Sequence, residues 1–490
     1  MTWSIAIIHD DSQASQPTRT PRLPHHIPSM SPTVQNLPFM DLNSAAESVT
    51  FGAGLTFSGA LDQRQVEETC ARITRAWPIL GSRVQRNSET GKIEAVVPAP
   101  EDARLEFTSQ IIESKLSDLE SLYTKTKSIS TQVLARNKHL YRKDPLEHLE
   151  HYITTGKPAF DIHATYLLDA TIINLTIVHV LMDASGFTEF TKAFVRALGG
   201  EPIPPLLSHD PWSILLPRAL DLPDDPNASL GWTIWGPQQR IASRNVEAKA
   251  LQVDGPIEQR IVYFPASEIV RMKREALEEL EVAGTPVSFL STSDVVSAWL
   301  YKHTFIDTDE PDEVTRFIFV VDARNRFPEA FTPGHVYLQN AFFNMSTGRL
   351  TSAQVQSKSL GELAYLIHTS VRRQTVPNQL LAQLKWKHDH AGHTQIPFSL
   401  GEDMQFTSSW LSFGLGEISL SRHVKPGTGT GQVLDVIYDV LGTARSTSAI
   451  KFKDTDGGIV CEMTWGTRRW TSGHMAEYAL ENQTRSTGGL

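Results

Sequence analysis

The chain has 490 residues, 40% hydrophobic and 20% charged, with a formal net charge of −10. That balance describes a globular protein with enough apolar material for sizeable cores, and the mild acidity argues against broad nucleic-acid binding. An anionic small-molecule partner stays compatible, because a local basic rim can coexist with overall acidity.

Trp3–Ile8 is too short for a signal-peptide core and is followed by Asp10 and Asp11, so it reads as a first strand. Residues 10–36, rich in Pro, Ser, Thr and His, predict an extended surface segment. A strand over 49–58 precedes a helix on which Val66, Cys70, Ile73 and Trp77 share a face, ended by Pro78. Ser82–Gln85 and Ile93–Val97 flank a turn at Asn87–Gly91, as in a hairpin. Residues 109–153 read as polar and helical. The two cysteines, Cys70 and Cys461, indicate no disulfide framework and point to a reducing compartment, hence a cytoplasmic protein. No apolar run is long enough to span a bilayer. Asn174, Asn227, Asn344 and Asn482 begin glycosylation-type tripeptides, which carry no weight without a secretion signal.

The most informative stretch is Thr171–Phe187. Ile173, Leu175, Ile177 and His179 alternate on one face of a strand, so the histidine continues an inward-pointing apolar row. Asp183 follows at a turn, and from Phe187 the apolar spacing becomes helical. An imidazole at the end of a core strand is well placed as a general base in a cleft. The pattern His-x-x-x-Asp recurs at His303–Asp307, at the end of a helical stretch before an acidic turn, where a packed core histidine is expected. The proline density over 199–228 predicts an irregular linker or crossover. A strand at 258–264, a helix near 267–281, a capping box at Ser291–Asp294 ahead of Val295–His303, a buried strand Arg316–Asp322 and a helix near 359–373 follow. From Phe406 on, strand and turn dominate.

Leu37-Pro-Phe-Met-Asp41, Trp77–Arg83, His179-x-x-x-Asp183, Ser293–Trp299, Val321-Asp-Ala-Arg-Asn-Arg326 and Asn340-Ala341 stand in an order that resembles the BAHD family of CoA-dependent acyltransferases, particularly a fungal branch that includes trichothecene O-acetyltransferases. The resemblance covers nearly the whole chain. It implies an α/β (α+β) monomer of two chloramphenicol-acetyltransferase-like domains, with mixed sheets flanked by helices and a channel between them. Residues 1–200 would form the first domain, 201–250 the crossover and 251–490 the second. It further implies an acyl-CoA, acetyl-CoA for preference, as co-substrate, a small-molecule alcohol as acceptor, and neither metal nor bound cofactor. His179 would be the general base, with Asp183 turned from the channel onto Arg324 as structural support. Asp322, Arg326, Asn340, Gly414 and Gly416 are further channel or motif candidates.

Two departures from the family pattern stand out. Ala184 occupies a position where the family usually has glycine, which is expected to shift the turn slightly, with Ser185-Gly186 absorbing the change. The Asp-Phe-Gly-Trp-Gly motif is degraded, with Ser412–Gly416 and Ile418–Ser421 both open as its remnant. These departures give a rival reading, a repurposed scaffold that binds or cyclises a metabolite without CoA. Gly427–Gly431 reads as a flexible turn, the His388, His390 and His393 cluster as a polar loop, and His148 with His151 as a polar helix face. Lys425, Arg445, Lys451 and Lys453 are either CoA-phosphate contacts or scattered surface charges.

Overall fold

A computed structural model describes residues 31–225, 228–229, 231–441 and 445–480. The expected strand at Trp3–Ile8, residues 10–30 of the extended segment, Asn227 and Asn482 lie outside them. Two mixed sheets organise the molecule. The five-stranded sheet runs Val433–Val440, Thr50–Ser58, Ala170–Val178, Phe160–Tyr166, Glu106–Ile111. The larger sheet runs Phe342–Ser346, Val314–Asp322, Asp403–Ser409, Thr447–Lys453, Ile459–Gly466, Ile257–Phe264, Ser130–Val133, with Leu350–Thr351 beside Val314–Asp322. Arg83–Arg86 and Ile93–Val97 form the expected hairpin, joined by Thr33–Asn36.

One core lies chiefly on the five-stranded sheet and reaches Ile261, Tyr263, Phe452 and Val460 of the larger one, and a second core belongs to the larger sheet. Helices Gln63–Ala76 and Ala184–Leu198 cover the first. Asp62 caps the former by accepting from the Gln65 N–H, and Val66, Cys70 and Ile73 face inward at the anticipated spacing. Helices Ala266–Val282, Thr292–Phe305 and Leu360–Gln374 cover the second, the last two opened by Ser291 and Ser359 capping boxes.

The halves of the chain do not divide cleanly between the sheets. Val433–Val440, late in the chain, completes the five-stranded sheet by pairing with Thr50–Ser58. Ser130–Val133, early in the chain, pairs with Ile257–Phe264 at the edge of the larger one. A fold boundary drawn at residues 1–200 and 251–490 therefore leaves each sheet one strand short. Buried charges tie the exchange together. Lys451 Nζ reaches Asp435 at 2.8 Å and Glu462 at 2.5 Å, and Arg136 bonds the same two carboxylates.

Two local expectations fail for identifiable reasons. Residues 109–153 are not one helical stretch: Glu106–Ile111 and Ser130–Val133 are strands, with short helices at Leu116–Leu119 and Leu149–Thr155. Both strands lie at sheet edges, so their polarity reflects edge position rather than helical periodicity. The proline-rich crossover is not wholly irregular either, since Pro211–Leu220 and Pro237–Asp254 are helical. Pro211 and Pro237 stand in the first turn, where no N–H is needed. Buried Trp212 and Leu215 hold the first of these helices despite the bond lost at Pro217. Asn174 and Asn344 are buried within strands, which closes their tripeptides to modification in the folded chain.

Candidate active site

The strand Ala170–Val178 is buried along its whole length, on both faces rather than only on the predicted inward row. It lies between two other strands, and helices cover it, hence its near-continuous apolar sequence. His179 is the first residue beyond it, in a turn closed by the Leu181 N–H to Val178 O bond at 3.0 Å. Asp183 then caps helix Ala184–Leu198, accepting from the Gly186 N–H at 2.8 Å. The imidazole faces a cavity of 1880 Å³ walled by both sheets.

Main-chain bonds fix His179 from two sides. Its N–H donates to Val49 O at 3.2 Å, and its carbonyl accepts from Asn340 Nδ2 at 2.8 Å. Phe51 meets the ring edge-on at 5.0 Å between centroids, and Phe342 lies at 5.8 Å. Among the described residues Nδ1 has no hydrogen-bond partner. Burial pushes the imidazole pKa down, opposed by its own backbone, the Asp183 charge and the Asn340 side chain. The result is a neutral ring at neutral pH, able to accept a proton from a molecule in the cavity.

Asp183 and Arg324 form the pair implied by the resemblance, but both also help to line the cavity, so Asp183 is not turned wholly away from it as expected. Arg324 Nη1 and Nη2 donate to the two Asp183 oxygens at 3.1 and 2.9 Å. The same guanidinium donates to Asp322 at 2.9 Å and to the carbonyls of Tyr337 and Gln339 at 3.0 and 2.6 Å. The Ala341 N–H completes the Asp183 shell at 2.9 Å. Arg324 thus fastens the turn carrying His179 to the segment 337–341 from the other half of the chain. Behind that segment, buried Asp41 accepts from Asn340 N and Nδ2 at 2.8 and 2.6 Å. Burial raises the Asp41 pKa well above the carboxylate range, with the Asn340 bonds opposing. The sequence displayed Asp41 only as part of a motif, and its hold on Asn340, and through it on the His179 carbonyl, appears only in three dimensions.

The glycine that matters at this turn is Gly186, not a missing one at 184. Ala184 opens the helix with ordinary backbone angles, so alanine there carries no strain. A Cβ on Gly186 would lie 2.1 Å from the Leu338 carbonyl oxygen. Gly186→Ala is therefore expected to push segment 337–341 away and cost about 1–3 kcal/mol, read as a fall in denaturation midpoint. An unchanged midpoint would mean that the contact relaxes freely.

Of the degraded-motif candidates, Ser412–Gly416 is the one beside the cavity, which Ser412 and Phe413 help to line. Gly414 has φ +67°, and a Cβ on Gly416 would meet the Lys453 carbonyl at 2.1 Å, so both glycines serve the backbone. Neither lines the cavity, and nor does Asn340, which supports His179 from behind; Asp322 and Arg326 do line it. Arg326 forms no ion pair among the described residues, its Nε is buried without a partner, and burial lowers its pKa. The suggested phosphate contacts divide: Lys451 is buried in the charge cluster, Arg445 is bound to Asp403 at 2.9 Å, Lys453 lies 3.6 Å from Glu417, and Lys425 is exposed.

His303 is a core residue. Its Nδ1 bonds the Trp299 carbonyl at 2.7 Å, its ring stacks on Trp299, and burial pushes its pKa down to about 3. His390 likewise bonds the Trp386 carbonyl, and His388 pairs with Asp389. Gly429 packs onto the Gly59 backbone. Among the described residues no group of three or more His, Cys, Asp or Glu is placed to hold a metal, and no helix is long and apolar enough to cross a membrane.

Comparison with known proteins places this geometry in context. The model of the Transferase family matches residues 86–422. Acetyltransferase pyiB of Pyricularia grisea is 26% identical over 421 residues, covering 78% of each chain. O-acetyltransferase PaAT-2 of Phomopsis amygdali is 25% identical over 362 residues, covering 68% of this chain and 72% of its own. The fold matches F. sporotrichioides TRI101, solved with coenzyme A and T-2, at a TM-score of 0.65 and 14% identity, over 92% of this chain and 98% of that one.

Proposed function

Since the chain belongs to the Transferase family, the BAHD acyltransferases that use acyl-CoA as co-substrate, we propose that it transfers an acetyl group from acetyl-CoA to a hydroxyl of a small secondary metabolite. His179 is the general base in this reading, and the protein works as a cytoplasmic monomer. The observation that carries it is the His179 imidazole, fixed through its main chain and opening onto the large cavity between the sheets, where burial lowers its pKa. The names of the relatives, an acetyltransferase and an O-acetyltransferase, support the acyl group and the oxygen acceptor.

The steps follow from that placement. As the acceptor oxygen attacks the thioester carbonyl, His179 takes the hydroxyl proton. When the C–S bond breaks, the imidazolium returns the proton to the departing thiolate. Holding alcohol and thioester in one cavity removes much of the entropic barrier. Asp183 and Arg324 take no proton; they keep the turn in place. Arg326, without an ion pair among the described residues, is the cation offered to the anionic end of acyl-CoA.

The CoA-independent alternative loses its motivation here. Ala184 strains nothing, and Gly414 and Gly416 retain backbone roles despite the degraded motif. Calorimetry is the direct test. CoA should bind, with affinity falling as salt screens its phosphates, and alcohols should trigger thiol release from acetyl-CoA. No CoA binding at millimolar concentration by the folded protein would overturn the acyl-transfer reading.

A further inference from the structure

None of the residues of helix Pro237–Asp254 is buried. Its outward side carries Ile241, Val246 and Val253, each more than half exposed. The stripe that lines the cavity, at helical spacing, is Arg240, Ser243 and Arg244. A surface helix held by packing shows the opposite arrangement, with its apolar side inward. Ion pairs hold this one: Glu247 lies 3.7 Å from Arg445, and Asp254 lies 3.1 Å from Arg469. Arg240 Nη1 donates to Thr394 Oγ1 at 2.7 Å. Arg244 has no hydrogen-bond or ion-pair partner among the described residues.

The larger sheet sets their distance from the base. Arg445, which anchors Glu247, is bound to Asp403, the first residue of the seven-residue strand Asp403–Ser409. His179 stands at the other end, where Phe342 meets its ring and pairs with Asp322, the last residue of the neighbouring parallel strand. At about 3.3 Å per residue, the two arginines lie on the order of 15–20 Å from the base. Apolar side chains line the way between: Met404 and Phe406 on that strand, and beside it Trp235 and Phe398, edge-on at 5.5 Å.

Two guanidiniums one turn apart over a cavity are matched by an anion, which each can bind through paired N–H donors. We infer that Arg240 and Arg244 form an anion subsite for a carboxylate or phosphate that a substrate carries far from its reacting atom. With Arg326 given to acyl-CoA, that anion belongs to the acceptor. The acceptor class is then an extended, mainly apolar hydroxy acid, acetylated at one end and held by its acid at the other. This rests on the acyl-transfer reading above.

The probes are ω-hydroxydodecanoic acid, whose extended chain covers about that distance, the much shorter ω-hydroxyhexanoic acid, and the methyl ester of each, all with acetyl-CoA. The wild type should favour the long acid over its ester by about tenfold or more in kcat/KM, the worth of a hydrogen bond to a charged group. That preference should shrink as salt rises. The short acid, unable to span the distance, should gain nothing over its ester. Arg240→Gln combined with Arg244→Gln should remove the preference by lowering use of the long acid. Its melting temperature should stay level, because the helix buries nothing. Arg244→Lys should keep part of the preference. A merely structural pair would instead lower the melting temperature and leave the preference intact.

Equal use of the long acid and its ester by the wild type overturns the inference, as does an unchanged preference in the double variant. Where neither is acetylated, calorimetry on the CoA complex reads the same difference, and equal or absent binding of the two overturns it. Loss of CoA affinity in the double variant, with acid and ester used alike by the wild type, assigns the pair to the CoA phosphates and overturns the acceptor reading. Absence of CoA binding by the wild type removes the acyl-transfer reading itself, and this inference with it.

Discussion

His179→Ala should lose acetyl transfer by a factor of about 10²–10⁴, the range a positioned general base supplies, while circular dichroism and melting temperature stay near wild type. The fold tolerates the change because the bonds that fix residue 179 come from its backbone, to Val49 and Asn340, and alanine keeps both. Near-wild-type thiol release in the presence of a working acceptor would dismiss His179 as the base. The pH profile supplies a second reading. The base must be neutral, and burial lowers its pKa. The acid limb of kcat/KM should therefore fall with a midpoint below the ordinary histidine value of about 6.5. Stability responds with the same sign. Below about 6.5 the unfolded chain binds the proton first, so His179 makes folding less favourable as pH falls from there to its lowered native value. The alanine variant should lack that part of the acid sensitivity.

Arg324→Ala and Asp183→Asn should each lower stability severely, by about 3–5 kcal/mol for removing one side of a buried ion pair, and reduce turnover with it. The side chains are only 11% and 6% exposed, and either loss strands several partners. Without Arg324, Asp183 is left with only two main-chain donors, and the Tyr337 and Gln339 carbonyls lose theirs. The double variant should be less damaged than the sum of the singles, because the second change removes a charge that the first left unpaired. Denaturant titration of the four proteins measures the coupling. Strict additivity would mean that the two groups do not interact in solution.

The pairing of Asp183 with Arg324, 141 positions apart, was legible only through the family resemblance, whereas other signals are local. The period-two row ending in His179, the helix spacing from Val66 to Trp77 and the Asp-x-Arg segment after a buried strand each announce themselves within about twenty residues. What stayed hidden depends on contacts between distant segments. Ser130–Val133 is short and polar, and only its pairing with Ile257–Phe264 makes it a strand. Gly186 looks like one more helical residue until the Leu338 carbonyl is set against it. Ala184 misled for the converse reason: a glycine preference borrowed from the family has no force where the backbone is already helical.

The exchange of strands has a consequence for how the molecule comes into being. Thr50–Ser58 is among the first strands to be synthesised, yet one of its flanks waits for Val433–Val440. While the intervening chain is still being made, that early strand presents an open row of amide groups and apolar side chains, the kind of surface that invites pairing with another molecule. The wall behind His179 is thus completed only when the nascent chain is nearly finished. A chain cut anywhere before residue 433 would expose that unprotected edge permanently, so a halved gene product should precipitate or be degraded rather than persist as a working domain.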